Sequence, residues 1–505
     1  MRSRLHQDFT LDSASPGTAR LSNVAWGLLA LGSVLTFAAF MTFDPNPDVV
    51  LAFCAATNVA ILLWGLHRMY SAKLLLSPMV FFVLSPALLP FYTWGNLGPR
   101  IAGPARYNSN PGNLDLYPEV AFLTMFGLLL FCGTLFGPLV AHIRHARIRY
   151  EDLIWKPWQA PLTALIAAAL VEYLSIKYPF RGGYFVGMDN HLDRWLASTQ
   201  YFVITLGVLS GVAVANRSRG IIARMLGVSC IVFLLALTLG MRSRTAMLNI
   251  VLLWVLCWLT VKPKHARRAL VIGGLAGCGI FALGSVVKMS NARGQAESVR
   301  GNIRSLMAVD QTLIREALLD TTALDYQYRV AGYDFTAGIL QGIRAGERPM
   351  YGAGIYSAAV QGLPSFLRPE GTYSERSAIG GHFLGKGLRY DDSSSVQVAS
   401  GVGDWGVIGG PLIYVVIAVY TVGLWWVSQR SPRLFLAVLI MLSTGVTGMF
   451  WDDVFYGVRA TGFAWLTLWI SGPVLMPRWR PDSGRATKRR PLGVGGDRRR
   501  IGIER

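Results

Sequence analysis

Two arginines, Arg242 and Arg244, flank a single serine in the stretch TLGMRSRTAML, between two long apolar runs. A guanidinium stays charged at any relevant pH, and its planar fork binds phosphate in bidentate fashion. Two of them in a minimal turn are therefore suited to holding a polyanion such as a diphosphate. They are also suited to a plainer role, because long basic side chains at helix ends snorkel to lipid headgroups. A single arginine there would read as that anchor, but the pair moves the balance towards a ligand.

Few other residues have comparable chemistry. His382, the one histidine in a long polar stretch, has a functional reading as a proton acceptor and a bland one as a surface side chain. Asp404, Asp452 and Asp453 sit where apolar runs begin, placed either to activate a hydroxyl or simply to meet water. Glu172 lies inside an apolar run, where a carboxylate lines a cavity or pairs with a neighbour. GGHFLGKG at 380–387 has the glycine-lysine skeleton of a phosphate-binding loop, but Gly387 replaces the Ser/Thr that the loop requires. No HExxH, no GxSxG and no run of histidines or carboxylates at metal-ligand spacing occurs, so neither a metal nor a cofactor is expected.

The elements that must position these residues are apolar helices. Charged residues are 15% of the 505-residue chain and hydrophobic ones 52%, a balance far from that of a globular domain. With about 20 apolar residues per crossing, twelve spans are expected at 24–43, 49–66, 75–94, 119–141, 161–177, 200–216, 221–240, 246–261, 269–288, 405–427, 434–450 and 456–475. The fold class is thus an all-α polytopic membrane protein. Five segments follow: an N-terminal piece 1–23, spans over 24–288, one large loop 289–404, spans over 405–475 and a basic tail 476–505. The first run, Val24 to Phe43, lacks a small-residue exit and reads as an uncleaved span.

Sidedness comes from the cations. Arg68 and Lys73, then Arg144, Arg147 and Arg149, then Arg217 and Arg219, then Lys262, Lys264, Arg267 and Arg268, and finally Arg430 and Arg433 all fall on the side of Met1. The positive-inside rule makes that side cytoplasmic, with both termini there. Arg242 and Arg244 then face outward, against the rule. The formal charge of +20 is spread over these short clusters and the tail, a pattern for anionic lipid rather than nucleic acid. All five cysteines lie in apolar runs with no CxxC pair, so no disulfide framework is indicated. Within the large loop, MAVDQTLIREALLDTTALDYQYRV has helical spacing, while RPMYGAGIYSAAVQGLPSFLRPEG is broken by Gly and Pro and reads as irregular. One or two amphipathic helices are expected to lie across the outer membrane-facing surface.

Three stretches resemble the Wzy-type O-antigen and exopolysaccharide repeat-unit polymerases, within the O-antigen polymerase and ligase superfamily. LGMRSRTAM is similar to the family's short outward arginine turn. YGAGIYSAAVQGLPSFLRPEGTYSERS looks like its tyrosine-glycine loop stretch, with the arginine of its proline-arginine element displaced to Arg368, and SGVGDWGVIGGPLIYV is similar to its glycine entry into the next helix. The R-x10-G spacing occurs at Arg376 to Gly387.

The resemblance implies transfer of a growing glycan from undecaprenyl diphosphate to the next lipid-linked repeat unit, at the periplasmic face of the bacterial inner membrane. It implies that Arg242 and Arg244 clamp the diphosphate, that Arg329 or Arg376 closes over it, and that Asp392, Asp404 or His382 serves the acceptor. The implied partners are the undecaprenyl-diphosphate-linked oligosaccharide, membrane lipids, and a chain-length regulator and flippase of the same pathway, with no nucleic acid. An O-antigen ligase, for which a loop histidine matters, is the nearest alternative. A flippase or transporter of lipid-linked oligosaccharide is another, although no half-repeat of the transporter kind is evident.

Overall fold

The computed structural model describes residues 31–32, 46–71, 76, 111–136, 148–181, 184–185, 187–188, 190–218, 220–241, 244–262, 265, 267–277, 279, 283, 332–363, 367–369, 371, 373, 375–383, 398–443 and 451–479. Apolar runs in this range form helices. In chain order they are α1 (Pro47–Ser71), α2 (Tyr117–Phe136), α3 (Gln159–Lys177), α4 (His191–Arg217), α5 (Ile221–Gly240), α6 (Arg244–Val261), α7 (Gly332–Arg344), α8 (Ala353–Gly362), α9 (Glu375–Phe383), α10 (Val398–Ser428), α11 (Pro432–Ser443) and α12 (Trp451–Ile470). A further helical stretch covers 267–277. Strands among the described residues are confined to two short antiparallel pairs, β1 (Leu153–Ile154) with β4 (Arg478–Trp479) and β2 (Phe180–Arg181) with β3 (Tyr184–Phe185).

Local chemistry sets several helix starts. Asn190 accepts from the Leu192 N–H at 3.0 Å and caps α4. Ser431 accepts from the Leu434 N–H at 3.2 Å, ahead of Pro432 in α11. Both are side-chain acceptors for the otherwise unpaired first-turn N–H groups, and proline at a helix start has no N–H to satisfy. Inside the apolar helices, hydroxyls are satisfied within their own helix. Thr124 donates to the Val120 carbonyl at 2.7 Å, Thr421 to Ile417 at 2.7 Å and Thr461 to Gly457 at 2.8 Å. These bonds leave no loose hydroxyl at those positions in an apolar surrounding.

Six helices among the described residues are long and apolar enough to cross a membrane: 47–69, 114–136, 159–177, 192–217, 221–240 and 398–428. The chain is an all-α protein of membrane-spanning type. Two further expected spans correspond to shorter apolar helices, 250–261 and 432–441. Most of the expected spans at 24–43 and 75–94, and much of that at 269–288, lies outside the described residues.

Small residues let the helices meet. A Cβ on Gly227 of α5 would stand 2.7 Å from the Ala215 nitrogen and the Gly211 carbonyl of α4, so the two backbones touch there. Close approach of this kind is what small residues permit between apolar helices. Gly207 faces Leu234 and Gly211 faces Ile231, which makes α4 and α5 antiparallel. On the other flank, the Tyr414 ring of α10 fills the notch over Gly127 of α2.

The structure differs from the sequence expectation in two places. The tenth span begins at Val398 rather than 405, and it is broken at Trp405 and Gly406, where Gly406 takes φ 71°. The turn is so tight that a Cβ on Gly401 would overlap the Gly409 carbonyl oxygen. The segment read as irregular contains α8, whose entry is shaped by Tyr351 at φ 50° and Gly352 at φ 92°. Glycine takes such a φ without steric cost. Between the two quoted loop stretches lies α7, whose residues 333–340 are buried, Asp334 and Thr336 included. The helical spacing at 307–330 lies outside the described residues.

Candidate functional site

The helices define two ends. At the base, the Ile148 N–H donates to Gln429 at 2.9 Å, Arg217 donates to the Leu153 carbonyl at 2.9 Å, and Gln159 donates to the Met476 carbonyl at 3.0 Å. Tyr150, buried beneath the Arg217 guanidinium, donates to the Leu209 carbonyl at 2.6 Å. Because α4 ends at this base and α5 starts from it, α5 ends at the opposite crown. At the helical rise per residue, α5 covers about 30 Å between the two ends.

The crown collects the chemistry. Asp193 in the first turn of α4 is fully buried and accepts from Lys177 at 2.5 Å, from Tyr173 at 3.1 Å and from Tyr178. Donating to Asp193 raises the Tyr178 hydroxyl pKa above its ordinary value, because the bond holds the proton on the phenol. Tyr117 donates to Asp334 at 2.9 Å and Arg344 pairs with Glu119, so both ends of α7 are tied to the start of α2.

Asp404 precedes the break in α10 and is buried. Its two carboxylate oxygens accept from the N–H groups of Gly354 at 2.9 Å and Ile355 at 3.1 Å. A carboxylate from another part of the chain thus caps α8. The reciprocal bonds run from the Met350 N–H to the Gly403 carbonyl and from Tyr351 to the Asp404 carbonyl, both at 2.9 Å. Ile379 of α9 packs on Gly403, and one turn further along the same helix the exposed His382 ring nitrogen Nε2 lies 2.8 Å from the Arg348 carbonyl.

The crown thus brings Asp404, His382 and the backbone of Arg376 into one neighbourhood, at the end of the bundle where the turn from α5 to α6 falls. Arg244 is the first residue of α6. The side chains of Arg244 and Arg376, and the whole of Arg242, Arg329 and Asp392, lie outside the described residues. No group of three His, Cys, Asp or Glu able to hold a metal occurs among the described residues.

One crown residue is absent from the candidates that the sequence suggests. Arg459 lies inside the apolar run of α12, 4.5 Å over the Tyr456 ring, and donates to the Leu363 carbonyl at 3.1 Å. A cation within an apolar helix is the available sign.

The chain matches no protein-family model, no curated protein and no solved structure. Its class rests on its own helices.

Proposed function

We propose that this protein is a polymerase of lipid-linked oligosaccharides, of the Wzy type, with twelve spans, both termini in the cytoplasm and a periplasmic module at 289–404 in the bacterial inner membrane. The observation that supports the reading most is the shared crown: α5 ends, and α6 begins, at the bundle end where α7, α8 and α9 are fastened, and in the sequence the paired arginines fall between those two helices.

The reaction demands little of the protein beyond charge and position. The bond between the sugar C1 and the diphosphate oxygen breaks, and the leaving oxygen takes the electron pair. The acceptor hydroxyl oxygen bonds to C1 and gives its proton to a nearby base. Arg242 and Arg244 neutralise the departing diphosphate, and Arg376 or Arg329 closes over it. Fixed guanidinium groups suffice for this charge. For the acceptor, the proposed bases are His382, which is exposed, and Asp392. Asp404 is engaged at both oxygens by α8, so its part is to hold the module in place.

The second reading is an O-antigen ligase whose acceptor is a lipid A core, a resemblance that includes a loop histidine, here the exposed His382. Deletion of the gene separates the two. A single repeat unit attached to its final acceptor is the expected phenotype. Polymer accumulating on the lipid carrier would mean ligase, and repeat units stranded on the inner leaflet would mean flippase.

A further inference from the structure

We propose that Arg459, stacked on Tyr456 beside Arg368, forms a binding site for a phosphate-type oxyanion at the C-terminal end of α8. The proposal is independent of the polymerase reading. Leu363, the residue that ends α8, has a carbonyl oxygen that accepts from Arg368 Nε at 2.8 Å and from Arg459 Nη1 at 3.1 Å, so two guanidinium groups are held side by side on one oxygen. Arg368 also donates through Nη1 to the Gln361 side chain at 2.9 Å, while Arg459 Nη1 reaches the Gln361 carbonyl at 3.4 Å.

Capping alone accounts poorly for Arg459. A helix C-terminus presents only about half a negative charge, and the shorter bond from Arg368 already satisfies its last carbonyl. Among the described residues, Arg459 pairs with no carboxylate, and its Nε and Nη2 donate to no protein acceptor. These two nitrogens form one edge of the planar fork, the edge that matches two oxygens of a phosphate. Tyr456, 40% exposed, lies under the face of the guanidinium, and Arg459 itself is half-buried. A ring in that position attracts the cation without using any of its N–H donors. Cations inside apolar helices are costly, pair with one another or with backbone carbonyls, and mark functional sites; Arg459 spends only Nη1 on carbonyls. The matching chemistry is a phosphate oxyanion, carried either by a lipid headgroup or by a diffusible phosphate.

The test uses the full-length protein in which Arg242→Gln and Arg244→Gln remove the other arginine pair. In nanodiscs of phosphatidylcholine it is titrated calorimetrically with inorganic pyrophosphate. In nanodiscs containing phosphatidylglycerol, retained anionic lipid is counted by native mass spectrometry. Binding of pyrophosphate identifies a diffusible anion, and retention of phosphatidylglycerol alone identifies a headgroup. In either case Arg459→Gln is expected to weaken binding at least tenfold. Arg459→Lys, which keeps the charge and one donor for the cap, is expected to lose several-fold while melting as the parent does. No binding by the parent, or equal binding by parent and Arg459→Lys, would overturn the site. Surface-glycan chain length is a separate readout, so failure of the polymerase reading leaves this result standing.

Discussion

Asp404 and Gly354 are joined by a 2.9 Å hydrogen bond from the Gly354 N–H to the Asp404 carboxylate, and the neighbouring N–H of Ile355 reaches the second oxygen at 3.1 Å. One side chain at the break in α10 thereby completes the start of α8. Each end of α8 is capped from far along the chain, by Asp404 at its first turn and by Arg459 at its last, with Arg368, five residues past Leu363, joining the second cap.

Asp404→Asn keeps the shape but turns one acceptor into a donor, leaving a buried backbone N–H unpaired at a cost of about 1–3 kcal/mol. The purified protein is expected to melt at a lower temperature, with faster hydrogen exchange at Gly354 and Ile355. Unchanged exchange at both amides would show that the cap does not hold α8.

Gly401→Ala sets a methyl group against the Gly409 carbonyl, where backbone faces backbone and no side chain can yield. The expected loss reaches or exceeds the upper end of the ~1–3 kcal/mol typical of overpacking. Gly423→Ala, in the same helix with nothing within 4 Å, serves as the control and should fold normally. Equal yields of the two variants from the membrane would contradict the tight turn.

These residues show what a sequence can and cannot reveal. The apolar runs of α2, α5 and α10 are legible because burial in hydrocarbon needs only length and composition. The fold of 348–371 is not, because α8 is capped by residues far along the chain, and Gly352 looks like a breaker until its φ of 92° is seen to lead into the helix. The arginine turn stands out because two cations sit between long apolar runs. Arg459 does not, since one cation in a long apolar run resembles a helix-end anchor until its Tyr456 stack and Leu363 bond are known. Asp404 stands out by its type, and the structure gives it a structural occupation that type alone does not disclose.

Sidedness has its own check. A reporter fused after Arg244 is expected to give an outward signal, and one fused after Arg217 or Arg430 an inward one, because α5 runs from the base to the crown. A cytoplasmic signal after Arg244 would reverse the assignment and move the crown to the wrong side for a periplasmic transferase.

The central claim, that the arginines of the α5–α6 turn hold a lipid diphosphate while the glycan leaves it, is tested most directly by the chain length of surface polysaccharide on a gel. Cells carrying Arg244→Ala, with the protein present in the membrane at the normal level, are expected to lose long chains. Arg244→Lys is expected to restore little, since lysine lacks the bidentate fork. A normal ladder of chain lengths from Arg244→Ala would contradict the account.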